Sequence, residues 1–158
     1  MDWSGIYIKN SLGGSAFLTG LGFAGFSLTM AIGRFYGDHI STNFGKQKIV
    51  QFGSLIGVIG LVLAALIPSP FVAILSFTIV GIGFSCIMPI IFNAATKVDG
   101  IAPSTGIAAI ATATIAGGLV GRPAIGLIAD SFGLESSLVF AGMLALGGSI
   151  VASRIRWS

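Results

Sequence analysis

Long uncharged apolar runs, each closed by a short polar turn, constrain this chain more than any single motif in it. Residues 12–33, 49–67, 71–96 and 136–153 carry no Asp, Glu, Lys or Arg, and the run from 104 to 129 carries only Arg122. About 20 apolar residues, rising 1.5 Å each, cross a hydrocarbon core of about 30 Å. The spacing therefore predicts an all-α integral membrane protein with about five transmembrane helices. They fall at about 12–36, 49–67, 71–96, 104–129 and 136–153. Residues 1–11 form a lead-in and 154–158 a tail.

Composition agrees. Of 158 residues, 54% are hydrophobic and only 8% charged, against about 25% charged in a soluble domain. So little polar surface cannot cover a water-facing globule. The 24 glycines follow no collagen-like period and suit membrane helices, where small residues let backbones approach. The net charge of +3 comes from eight Lys and Arg set singly at the edges of apolar runs. That is a topology signal and not a phosphate-binding patch, so no nucleic-acid partner is expected. Cys86 is the only cysteine, which excludes an intrachain disulfide and a cysteine metal cluster. Met1 leads into Asp2 and Trp3 without the basic and apolar regions of a signal peptide.

Within the runs, small residues recur every fourth position. Gly25, Thr29 and Gly33 form one ridge, and Gly53 and Gly57 a G-x-x-x-G pair. Ala109, Ala113, Gly117 and Gly121 make the longest stripe. Each is a surface on which another helix can pack. Pro68-Ser69-Pro70 predicts a sharp hairpin, Pro89 a kink in the third span, and Arg122-Pro123 an interruption of the fourth. Trp3 and Tyr7 suit the membrane–water interface, a frayed terminus being the alternative. The first span is expected to leave the hydrocarbon at Arg34 and Tyr36, with a polar turn following as far as Lys48. Arg34, Lys46, Lys48, Lys97, Arg154 and Arg156 fall on one side of the bundle and Lys9 on the other. The positive-inside rule then puts the N-terminus outside and the C-terminus in the cytoplasm.

The segment GRFYGDHISTNFGKQK, residues 33–48, resembles the loop between the second and third helices of each half of a major facilitator superfamily transporter. Gly33, Arg34, Gly37 and Asp38 match, followed by Gly45, Lys46 and Lys48. DWSGIYIKNSLGGS before it is similar to the lead-in of the second half of bacterial sugar-permease-like members. His39 and Asn43 depart from the pattern, standing where arginine is common. The resemblance implies a partial major-facilitator bundle, the last five of twelve helices, in a bacterial inner membrane. It implies that Asp38 and Arg34 latch a closed conformation against the opposite half during alternating access; a loop that only fixes orientation is the plainer alternative. It also implies that the third span lines the solute pathway.

Three residues are candidates for binding a small polar solute, a sugar among them. Arg122 lies inside an apolar span, where a charge costs at least about 2.5 kcal/mol and usually meets a cavity or a partner; snorkelling to the interface is the alternative. Asn93 and Ser85 can hydrogen-bond a polar solute or merely join helices. Cys86 reads as a small apolar filler and His39 as a solvated loop residue. No acidic pair, metal-ligand set or phosphate loop is present, so neither an enzyme nor a cofactor is expected. The function expected is secondary, alternating-access transport, with this stretch inactive alone and partnered by the bilayer and by the remaining helices as a separate chain. A non-transporting membrane protein acting as a helix-packing subunit is the other reading.

Overall fold

The computed structural model describes residues 5, 7–11, 13 and 15–154, with backbone alone at 10, 11 and 37–44. It is an all-α bundle containing five helical segments long and apolar enough to cross a membrane. Trp3 and Arg156 lie outside the described residues.

Helix α1 (Ala16–Phe44) opens at Ser15, whose hydroxyl accepts the Leu18 amide at 3.4 Å and so meets one of the orphan donors of a helix start. The expected polar turn does not follow Tyr36. The helix continues through Phe44 and stops only at Gly45, whose φ of 84° suits glycine. Polar residues weaken a helix only by tenths of a kcal/mol each, and no proline stands between 34 and 45, so nothing there ends it. Helix α2 (Lys46–Leu66) starts at the next residue.

The third crossing is two helices, α3 (Pro70–Ser85) and α4 (Ile87–Ala95), broken at Cys86. The distortion expected from Pro89 thus appears three residues earlier. A proline cannot donate to the carbonyl four residues back and its ring crowds that group, which places the disturbance at Ser85. Helix α5 (Pro103–Phe132) runs unbroken through Pro123, where an interruption was expected; membrane helices tolerate proline when neighbours or local adjustment satisfy the freed carbonyl. Gly133, with φ of 85°, turns the chain into α6 (Leu134–Arg154).

α3 is the centre, packing against α1 on one side and α2 on the other, and α2 packs in turn against α6. Small residues make these crossings close. A Cβ on Gly53 would meet the Gly83 carbonyl oxygen at 2.5 Å, so the G-x-x-x-G pair lies directly on α3. The Gly25–Thr29–Gly33 ridge also lies on α3, and the Thr29 hydroxyl donates to the Thr78 carbonyl at 3.1 Å. α5 is different: it touches α6 and α4 and little else.

Within the lead-in, Tyr7 does not sit at an interface. Residues Tyr7–Ser11 form a short π-helix, and Tyr7 and Ile8 are fully buried among Leu61, Ala64, Phe77 and Leu138. The cause is readable in α2. Pro68 has no N–H to give the Ala64 carbonyl, four residues back, and the Tyr7 hydroxyl donates to that oxygen at 2.7 Å instead. Burial, and then the charge of Glu135, push the Tyr7 phenol above its ordinary 10.0.

Candidate functional site

The motif residues sit at one end of the bundle, and Gly33 is the best anchored of them. Its backbone passes so close to α3 that a Cβ there would overlap the Ser85 hydroxyl. Its carbonyl accepts the Cys86 thiol at 3.2 Å. Arg34 is exposed one residue further on. Gly37 and Asp38 lie in the helical extension of α1, but the Asp38 side chain is outside the described residues, so its expected latch has no geometry here. Gly45 is the joint between α1 and α2. Lys46 lies near Lys97 of the loop between α4 and α5, and Gln47 donates to the Ser153 carbonyl at 3.0 Å. Lys48 is exposed. The ends of α1, α4 and α6 therefore meet around the start of α2.

Below this cluster a cleft of about 1020 Å³ opens between α2, α4, α5 and α6. Val50, Ile87, Ile91, Ile110 and Leu144 give it apolar walls, and Lys97 and Asp99 stand on its lining. It exists because α5 is held near its two ends and little between them. Near its start Gly106 is pressed onto the Ala95 carbonyl of α4. Toward its far end the Ser137 hydroxyl of α6 donates to the Ile125 carbonyl at 3.1 Å.

The three candidate solute residues do not form one site within this chain. Ser85 is buried, its hydroxyl donating to the Ile82 carbonyl at 2.7 Å and lying 3.5 Å from the Cys86 sulfur. Asn93 is exposed on α4 and Arg122 is exposed on α5. Arg122 shares a helix face with Ile115 and Leu119, which are 65% and 71% exposed, so the charge stands on the uncovered side of the bundle. Ala109 of the stripe lines the cleft, while Gly117 and Gly121 have nothing within 4 Å of an added Cβ. Among the described residues no group of three His, Cys, Asp or Glu could hold a metal ion.

Two residues that sequence reasoning undervalued emerge here. Cys86 is a hydrogen-bond donor at the helix break as well as a filler. Tyr7 is a core residue, and its only advance signal was the carbonyl that Pro68 leaves unmet.

The sequence pattern of the Major Facilitator Superfamily matches residues 3–158. The chain belongs to that superfamily. Among curated proteins it is 37% identical over 156 residues to an uncharacterized MFS-type transporter of Yersinia pestis, covering 99% of this chain and 40% of that protein. It is 27% identical over 154 residues to the membrane protein MosC of Rhizobium meliloti, covering 98% of this chain and 37% of that one. The uncharacterized transporter y4wD of Sinorhizobium fredii is 24% identical over 152 residues, 96% of this chain and 40% of the relative. The chain thus spans about 40% of the length of these relatives. No solved structure matches it. For a chain of this superfamily, the five spans make this a multi-pass membrane protein.

Proposed function

We propose that this chain forms one wall of a secondary transporter that moves a small polar solute, a sugar being one candidate, by alternating access. The observation that carries the reading is the uncovered face of α5. It places Arg122, a charge that is costly in lipid, outside this bundle's own core. Transporter folds built from repeats put the solute between the halves, so that face becomes a solute or partner surface only when further helices lie against it. Asn93 stands by the Ala95–Gly106 contact at the start of α5, a different level from Arg122, and is not part of that face; Ser85 acts through the break in the third crossing and not by touching solute. Asp38 and Arg34 work as the latch that one conformation makes and the other breaks.

On this reading the protein resides in a bacterial inner membrane, with Lys46, Lys48 and Lys97 on the cytoplasmic side and the N-terminus outside. It carries no catalytic activity, and alone it moves nothing. Proteoliposomes test this with a panel of radiolabelled sugars, with and without a proton gradient, using the chain alone and the chain joined to the remaining helices of its Yersinia relative. Uptake by the joined protein, lost in R122Q, is the expected result. Flux by the chain alone overturns the single-wall reading, and no flux by the joined protein overturns transport of this solute class.

A second reading, a helix-packing subunit without transport, is favoured by the open stripe at Gly117 and Gly121. Co-purification with an unrelated membrane protein, and not with the relative's remaining helices, selects it.

A further inference from the structure

Arg122 is the only charge inside the five apolar runs. Among the described residues it forms no hydrogen bond and no ion pair. An arginine does not shed its proton in a protein, so this charge is permanent, and at that depth it calls for a lasting partner. It stands on α5, which with α1 is the least buried of the five spans and is also the least apolar. The helix worst suited to lipid thus has little protein over it.

Escape to the headgroups runs against the geometry of the helix. The nearer end of α5, at Phe132, is roughly 15 Å from Arg122 along the axis. Helical side chains lean toward the N-terminus of their own helix, which carries the guanidinium over Gly118 and away from Phe132. Nothing lies within 4 Å of a Cβ added at Gly118, so a second side chain has room there.

The missing acid does not come from the spans of this chain. Its five carboxylates, Asp2, Asp38, Asp99, Asp130 and Glu135, all lie outside the apolar runs. A second copy therefore brings none to this depth. A solute would neutralise the charge only while bound. The chain spans about 40% of the length of its relatives, and the rest of such a protein can supply a permanent neighbour.

We propose that the face of α5 around Arg122 receives a transmembrane helix, from the part of the transporter outside this stretch, carrying an aspartate or glutamate at the depth of Arg122. The carboxylate accepts two parallel N–H bonds from the guanidinium over Gly118, and each charge offsets the cost of the other. The inference rests on the reading of this chain as one wall of a larger transporter, and it specifies the chemistry of the neighbouring wall.

The test is thermal unfolding in detergent of the chain alone and of the chain joined to the remaining helices of its Yersinia relative. R122Q should leave the chain alone unchanged and lower the melting temperature of the joined protein by several degrees. Each Asp or Glu within an apolar run of the added helices is then changed to Lys in the R122E background. One such swap should restore the melting temperature that R122E loses, whereas the same Lys beside an unaltered Arg122 should lower it. The absence of any acid in those runs, no restoring swap, restoration by D2K or D130K, or an equal loss in the chain alone overturns the proposal. If R122E does not fold, R122Q is combined with each acid changed to its amide. A double variant that melts no lower than the worse single variant shows the pair, and additive losses overturn it. Uptake is measured separately on the same proteins. Flux without a restoring swap removes the ion pair and leaves the transporter; a restoring swap without flux does the reverse.

Discussion

The thiol of Cys86 donates to the carbonyl oxygen of Gly33 across 3.2 Å, joining the first residue of the loop motif to the break in the third crossing. The neighbouring Ser85 hydroxyl lies where a Gly33 side chain would be. The start of the motif and the broken helix are therefore a single packed unit, and a shift in one cannot leave the other in place.

Gly33→Ala should strain that unit. Overpacking a close contact typically costs about 1–3 kcal/mol, so thermal unfolding in detergent should occur at lower temperature than in the unaltered chain. Removing the obstruction with Ser85→Gly should recover much of the loss in the double variant, because residues in direct contact do not act additively. Equal penalties for Gly33→Ala in both backgrounds would show that α1 and α3 separate here.

Tyr7→Phe leaves the Ala64 carbonyl buried without its donor, which costs about 1–3 kcal/mol. Pro68→Ala supplies an N–H that lets α2 run on past Ile67, now extended, and reach the Ala64 carbonyl, so Tyr7→Phe should matter less in that background. Equilibrium unfolding of the four proteins of this cycle measures the coupling directly.

The same tyrosine predicts a pH dependence. Its phenol is held protonated by burial and, next, by the Glu135 charge, so its folded value lies above 10.0. Its contribution to stability is present in full below pH 10.0 and is lost as pH rises through the folded value. Stability measured from neutral to strongly alkaline pH should fall on the alkaline side, and the part due to Tyr7 should vanish in Tyr7→Phe.

Gly117→Leu with Gly121→Leu should leave the melting of this chain within about 0.5 kcal/mol, as for surface sites away from packed features, since nothing lies within 4 Å of either added Cβ. Association with the remaining helices of a relative, followed by co-purification, should weaken sharply. A drop in the melting temperature of the isolated chain would place a helix of this chain on the stripe.

Much of this architecture was legible in the residues because membrane spans are governed by length and polarity, which are local. The Gly25–Thr29–Gly33 ridge was also legible, since the fourfold period marks a narrow face. What the period cannot carry is the identity of the partner: the stripe through Ala109 and Gly121 is the more regular of the two, yet only its first residue faces other parts of the chain. Tyr7 was misjudged for a related reason. Its place depends on a carbonyl 57 residues away, and an aromatic near a terminus has the same local signature whether it meets lipid headgroups or a helix end. The length of α1 was missed because polarity reports where hydrocarbon ends, whereas a helix ends where its backbone bonds are broken.

The joint at Gly45 has a mechanical consequence. From Arg34 to Phe44 the chain is a helical rod of roughly 16 Å at 1.5 Å per residue, and a single residue connects it to α2. Such a linkage has no slack. A tilt of α1 within the bilayer swings the far end of the rod through an arc and turns α2 about the same pivot, so the segment between the two spans works as a lever arm and not as a tether.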